Sequence, residues 1–195
     1  MISKLSKCMT QNLLKRNVIL EEDQELYDYG LFMIISHIIF FFIAVLFGII
    51  LNITFCSILF YINFCLLRNY AGGIHANSEI KCNIITTLSI LISETIIKLF
   101  IDYSLIGIAL IVLIISSICL IVIKPVSTEQ KEISEHEKTH FHKKVIIMTV
   151  LLLMISIIAV LFRFYSITIS LSISSLLSSI LLILGKLQMH CGRNA

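Results

Sequence analysis

Apolar and polar positions in this chain fall into long blocks, not the short periods of a soluble fold. From Leu31 to Leu67 no residue is charged. A helix crossing ~30 Å of hydrocarbon at 1.5 Å per residue needs about 20 apolar residues. The block therefore predicts two membrane-spanning helices, with a turn between Gly48 and Thr54. A polar segment follows at 68–81, RNYAGGIHANSEIK. The third span, Cys82 to Ile101, contains Glu94 and Lys98, an i, i+4 pair expected to neutralise itself on one helix face. Asp102 and Tyr103 mark a turn, and the fourth span runs from Ser104 to Ile123, ended by Lys124-Pro125. A polar loop reaches Lys144. Val145 to Phe162 forms a fifth span and Phe164 to Gly185 a sixth, with Arg163 between them.

The pattern describes an all-α polytopic membrane protein of about six transmembrane helices. It is a single membrane domain: an N-terminal segment 1–30, spans at 31–67, a segment 68–81, spans at 82–123, a loop 124–144, spans at 145–185 and a tail 186–195.

Composition agrees. The chain of 195 residues is 58% hydrophobic and 14% charged, where soluble domains carry roughly 45–50% and 25%. It lacks the polar side chains to cover a water-soluble surface. A net charge of +3 is too small to argue for nucleic-acid binding. The six cysteines show no CxxC pairing, and Cys56, Cys65 and Cys119 lie in apolar stretches as small hydrophobes. The first twenty residues have no uninterrupted apolar core, so no cleavable signal peptide is expected.

Charge then orients the spans. Of the 15 Lys and Arg, six crossings place all but Arg163 and the intramembrane Lys98 on one side. The positive-inside rule makes that side cytoplasmic, with both termini, segment 68–81 and loop 124–144. Ile2, Leu5, Met9 and Leu13 recur at helical spacing beside Lys4, Lys7 and Arg16. This suits a basic amphipathic helix lying on the lipids of the anionic leaflet. In the last span Ser166, Ser170, Ser174 and Ser178 form a small-residue stripe. Such a stripe suits close helix packing within the chain, or a homodimer seam.

Candidate chemistry concentrates in Arg68 to Cys82. Gly72-Gly73 opens backbone conformations closed to other residues and leaves amides uncovered. Asn77 and Ser78 are favoured N-caps and Glu79 suits a first turn, so Cys82 falls near a helix N-terminus, where anions are stabilised. His75 would stand about 10.5 Å from Cys82 on a continuous helix, too far for proton transfer, so the chain must bend between them. A histidine and a cysteine seven apart do not by themselves define a site.

The longer run does. Arg68-Asn69-Tyr70-Ala71-Gly72-Gly73-Ile74-His75-Ala76, with Cys82 seven positions after the histidine, resembles the core motif of the accessory gene regulator protein B (AgrB) family. The span pattern, the size, the basic N-terminus and the Lys-Pro after the fourth span are similar to that family as well. The resemblance implies a membrane cysteine endopeptidase, without cofactor or metal, that removes the C-terminal tail of a small AgrD-like pro-peptide. The remainder is held as a thioester, which an internal cysteine attacks to give a thiolactone signal for quorum sensing. It further implies Cys82 as nucleophile and His75 as base at the cytoplasmic face of the cell membrane, with Arg68, Gly72 and Gly73 in support. Asn77 or Glu79 is placed to orient His75, and the Gly72-Gly73 amides or Arg68 to hold an oxyanion.

Two rival readings come from other residues. His136-Glu137-Lys138-Thr139-His140 matches HExxH, in which two histidines one turn apart bind zinc and the glutamate activates water. Glu132 lies a further turn back as a third ligand. Against a zinc metalloprotease, the motif sits in a polar loop with little apolar shell to hold it rigid. A small transporter finds its support in the Glu94–Lys98 pair, but no inverted repeat accompanies it.

Overall fold

A computed structural model of the chain describes residues 2–16, 18–72, 79–124 and 135–192; for 79–81, 135–138 and 189–192 it describes the backbone alone. Among these residues there are seven α-helices, one short 3-10 turn and no strand: α1 (Ile2–Lys15), α2 (Gln24–Ile50), α3 (Thr54–Ala71), α4 (Glu79–Asp102), α5 (Ile106–Val122), α6 (Glu135–Leu161) and α7 (Tyr165–Gly192). The chain divides into two compact units, Met1–Ile43 and Ala44–Ala195.

In the first unit α1 is an amphipathic helix turned inside out for water. Ser6 and Thr10 are its buried residues, while Leu5 and Met9 stay exposed. The Thr10 hydroxyl donates to Asp28 Oδ1 at 2.7 Å, tying α1 to the first turns of α2. With Lys4 and Lys7 flanking its free apolar face and no acid in its first turn, the helix has the form of an interfacial element. The 27 residues of α2 make a rod ~40 Å long, more than the hydrocarbon requires. Its first turns, QELYDYG, carry the polar excess.

The second unit is built around α7. Among the described residues four helices are long and apolar enough to cross a membrane, and α7 has 61% of its most apolar stretch inside the protein, against 22–28% for the others. It packs against α3, α4, α5 and α6, and these form a closed ring about it, α3 on α6, α6 on α5, α5 on α4 and α4 on α3. Serine makes this possible. Thr168, Ser170, Ser172, Ser174, Ser175, Ser178 and Ser179 are all buried, and their small side chains let neighbours approach closely. Most satisfy their own hydroxyls, as Ser170 does on Ser166 O (2.9 Å) and Ser178 on Ser174 O (2.9 Å). Two reach neighbours: Thr168 donates to Ser156 O of α6 at 3.3 Å, and Asn63 of α3 donates its amide N–H to Ser174 Oγ. The stripe expected at every fourth residue is thus part of a wider serine surface packed within the chain.

Three tight turns join successive helices at 51–53, 103–105 and 162–164, and they share one solution. Asn52, Ser104 and Arg163 adopt positive φ (58°, 53° and 62°). The next residue in each case donates back across the helix end: Ile53 N to Gly48 O at 2.8 Å, Leu105 N to Phe100 O at 2.9 Å, Phe164 N to Ala159 O at 2.7 Å. This is the Schellman closure, which satisfies carbonyls left open at a helix C-terminus. At the first turn Gly48 is also a contact. A Cβ there would lie 2.2 Å from Ser57 Oγ, so glycine alone admits this approach of α2 to α3.

Two expectations are corrected. The polar stretch before Val145 is a loop only in part, since α6 begins at Glu135. Lys98 does not pair with Glu94: its Nζ binds Asp102 Oδ1 at 2.8 Å, at the exposed end of α4. Glu94 is wholly buried one turn earlier, beside Ser57 of α3. Pointing inward and outward respectively, the two side chains belong to different faces, and the support their pairing lent to a transport pathway goes with it.

Candidate active site

The end of α3 and the start of α4 carry the candidate chemistry. Helix α3 stops because Gly72 has φ 75° and ψ −160°, with its N–H still bonded to Arg68 O at 3.0 Å. That combination is open essentially to glycine alone, so Gly72 sets where the chain leaves the helix. Arg68 lies one turn back, half-buried. Helix α4 begins at Glu79, which puts Cys82 in its first turn as a half-buried free thiol. Gly73, His75, Asn77 and Ser78 lie outside the described residues, as does the side chain of Glu79.

Arg68 and Cys82 meet in one cleft. Its lining is Phe64 and Arg68 of α3, Cys82, Ile85, Thr86 and Ser89 of α4, and Leu181 of α7, around a space of about 20 Å3, room for little more than one water. The four α4 residues fall at i, i+3, i+4 and i+7, one face of a helix. The cleft therefore descends from the helix start toward the bundle interior, with the thiol at its outer end.

The base of the motif is clasped by the start of α6, where the polar pattern predicts a loop. The Tyr70 ring packs against Phe141 (centroids 6.2 Å apart), and Lys144 Nζ sits 5.0 Å over the same ring. Beneath them Leu67 and Ala71 of α3, Leu120 of α5, Val145 and Leu152 of α6 and Leu182 of α7 form a buried cluster. The signal was present. Phe141, Lys144, Val145 and Met148 are spaced i, i+3, i+4 and i+7, the face of a helix continuing back out of the apolar block. Lys144, the last residue of the polar stretch, is in contact with the motif itself.

The HEKTH run lies on α6, not in a loop. His140 is exposed and the side chains of His136 and Glu137 lie outside the described residues, as does Glu132. Among the described residues no group of three His, Cys, Asp or Glu is placed to hold a metal.

A bundle of helices whose outer faces are isoleucine and leucine, Ile111, Ile115 and Leu151 among them at half exposure or more, is a multi-pass membrane protein. The family model for accessory gene regulator B matches residues 6–184. The chain belongs to that family, which places it in the processing of accessory gene regulator quorum-sensing peptides. No curated protein and no solved structure matches it.

Proposed function

We propose that the protein is a membrane cysteine endopeptidase that removes the C-terminal tail of a small AgrD-like pro-peptide and prepares the remainder for thiolactone closure. Cys82 Sγ attacks the scissile carbonyl, and His75 takes the thiol proton and delivers it to the departing amine of the tail. The acyl half stays on sulfur as a thioester. A cysteine within the peptide then attacks that carbonyl, Cys82 leaves as thiolate and the ring closes. The thioester keeps the acyl group activated, so no ATP is needed, and a partly dry site favours the second thiol over water. The chain crosses the membrane six times, its site at the cytoplasmic face, and α1 rests on anionic lipid.

One observation carries this reading: the half-buried thiol of Cys82, in the first turn of α4, lines a cleft together with Arg68. The test uses a substrate whose internal cysteine is replaced. An acyl-enzyme should accumulate at Cys82 and be released by hydroxylamine. Cys82→Ser and His75→Ala should each lower turnover by at least a hundredfold, while a variant retaining Cys82 as its sole cysteine still cleaves. Chelators and His136→Ala should leave cleavage intact. Loss of cleavage restored by zinc, or an adduct on another cysteine, overturns the thiol mechanism.

A further inference from the structure

Glu94 is a buried acid that the peptide chemistry does not use. It stands twelve residues, ~18 Å along α4, from Cys82, and its side chain is wholly buried. Neither carboxyl oxygen has a hydrogen-bond partner among the described residues. The hydroxyl beside it is that of Ser57 on α3. Ser57 donates its hydrogen to Ile53 O at 3.3 Å, so toward Glu94 its oxygen is an acceptor. Gly48 closes the other side of Ser57, so near that a Cβ there would collide with Oγ.

No cation among the described residues reaches the carboxyl. Helix α4 packs against α3, α5 and α7. On α4 itself Lys98 binds Asp102, and Lys81 stands at the far end. On α3 the cation is Arg68, eleven residues past Ser57 and ~16 Å further along the axis. On α7, Lys186 and His190 stand in the last turns, at the opposite end from Ser166, whose carbonyl accepts from Cys56 Sγ next to Ser57. Helix α5 and residues 44–53 carry no charge. The other titratable groups on the helices around α4 are Cys56, Tyr61, Cys65 and Tyr70 of α3, Cys119 of α5, and Tyr165 and Cys191 of α7. These are thiols and phenols, which are never cationic. An ionised carboxylate at Glu94 would be a buried charge without donor or counter-ion. A protonated one needs only an acceptor for its O–H, and Ser57 Oγ is that acceptor.

We propose that Glu94 is a proton-binding site within the membrane: its carboxyl carries a proton at neutral pH and, being uncharged, lets α4 close on Ser57 and the α2–α3 turn. The inference does not depend on the role of Cys82. Loss of the proton to water leaves a carboxylate that must draw the Ser57 hydrogen from Ile53 O or admit water between α3 and α4. Either loosens the contact.

Infrared difference spectra of the full chain in lipid membranes, unmodified against Glu94→Gln at pH 7, test the protonation state directly. The unmodified protein should show the C=O stretch of a protonated carboxylic acid, shifted by D2O and absent from the variant. Carboxylate bands in its place overturn the proposal. Dicyclohexylcarbodiimide is an apolar reagent whose nitrogen takes the acid proton while the carboxyl oxygen bonds its central carbon. Followed by mass spectrometry at pH 7, it should label Glu94 at least tenfold more than the exposed Asp102 of the same chain. Replacing choline chloride by sodium chloride should leave that labelling unchanged. Equal labelling of the two acids overturns the proposal, as does protection by sodium, which would mean that the site holds a metal cation. This arm uses the unmodified protein, so it decides even where the glutamine variant does not fold. Stability gives a third readout. Above about pH 5 an exposed glutamate is ionised, so the unfolded chain binds fewer protons than the folded one and rising pH favours unfolding. Relative to Glu94→Gln in one detergent, the folded-to-unfolded ratio of the unmodified protein should fall by up to about tenfold per pH unit. Parallel pH dependence of the two proteins overturns the proposal.

Discussion

At the scale of single residues, Gly48, Gly107 and Gly72 behave differently for physical reasons. Gly48 meets Ser57 Oγ at 2.2 Å from where a Cβ would stand, while nothing lies within 4 Å of the corresponding point at Gly107. Gly48→Ala must push α2 and α3 apart, an overpacking that costs about 1–3 kcal/mol. Gly107→Ala, in the first turn of α5, meets no atom and removes backbone entropy from the unfolded chain, a gain of about 0.4–1 kcal/mol. Thermal unfolding in one detergent should therefore move in opposite directions for the two variants. Equal shifts would show that the α2–α3 approach is not as tight as drawn. Gly72 is a third case, constrained by its own φ and ψ and not by a neighbour. The glycine pair was legible in the sequence as a bend, but its use as the terminator of α3 was not, because many backbone states suit glycine equally.

At the scale of elements, the contact of Tyr70 with Lys144 and Phe141 joins the motif-bearing end of α3 to α6. A cation over an aromatic face at a half-exposed site is worth about 0.5–1 kcal/mol. Tyr70→Leu and Lys144→Met should each destabilise the protein, and the double variant should lose less than the sum by about that amount. Full additivity in unfolding measurements would mean that the lysine does not engage the ring. Helices α2 to α5 were legible because a long apolar block and its polar borders mark a span. The start of α6 was not, because HEKTHFHKK offers few apolar positions, and only the spacing of Phe141, Val145 and Met148 betrays its inner face. The centrality of α7 was also hidden. Its apolar content resembles that of its neighbours, and what sets it apart is serine on every side, a property of packing that a single stripe under-reads. The pairing of Lys98 failed for a related reason: i, i+4 spacing offered it both Glu94 and Asp102, and the burial of Glu94 by α3 decided between them.

At the scale of the whole molecule, the connections alternate in kind. Tight Schellman turns at 51–53, 103–105 and 162–164 alternate with the longer segments 72–78 and 123–134, so helices joined by a turn return the chain to the side it came from. The basic residues follow the same alternation. Lys81 and Lys124 border the longer segments, as do Arg68 and Lys143, while the tight turns hold Arg163 alone. If the positive-inside rule acts on this protein, the longer segments and the end of α4 that carries Cys82 face the cytoplasm, where a pro-peptide is made. Single cysteines introduced beside Arg163 in a background lacking exposed thiols should react with a membrane-impermeant maleimide on intact cells. Cysteines placed at 126–132 should react only after permeabilisation. The same experiment bears on α2, whose length exceeds the hydrocarbon by about two turns: a cysteine at Glu25 should share the protection of 126–132, and one at Asn52 the accessibility of Arg163. Labelling of 126–132 from outside would reverse the molecule and put Cys82 on the face opposite to peptide synthesis. An odd number of crossings would show as agreement between Asn52 and Glu25.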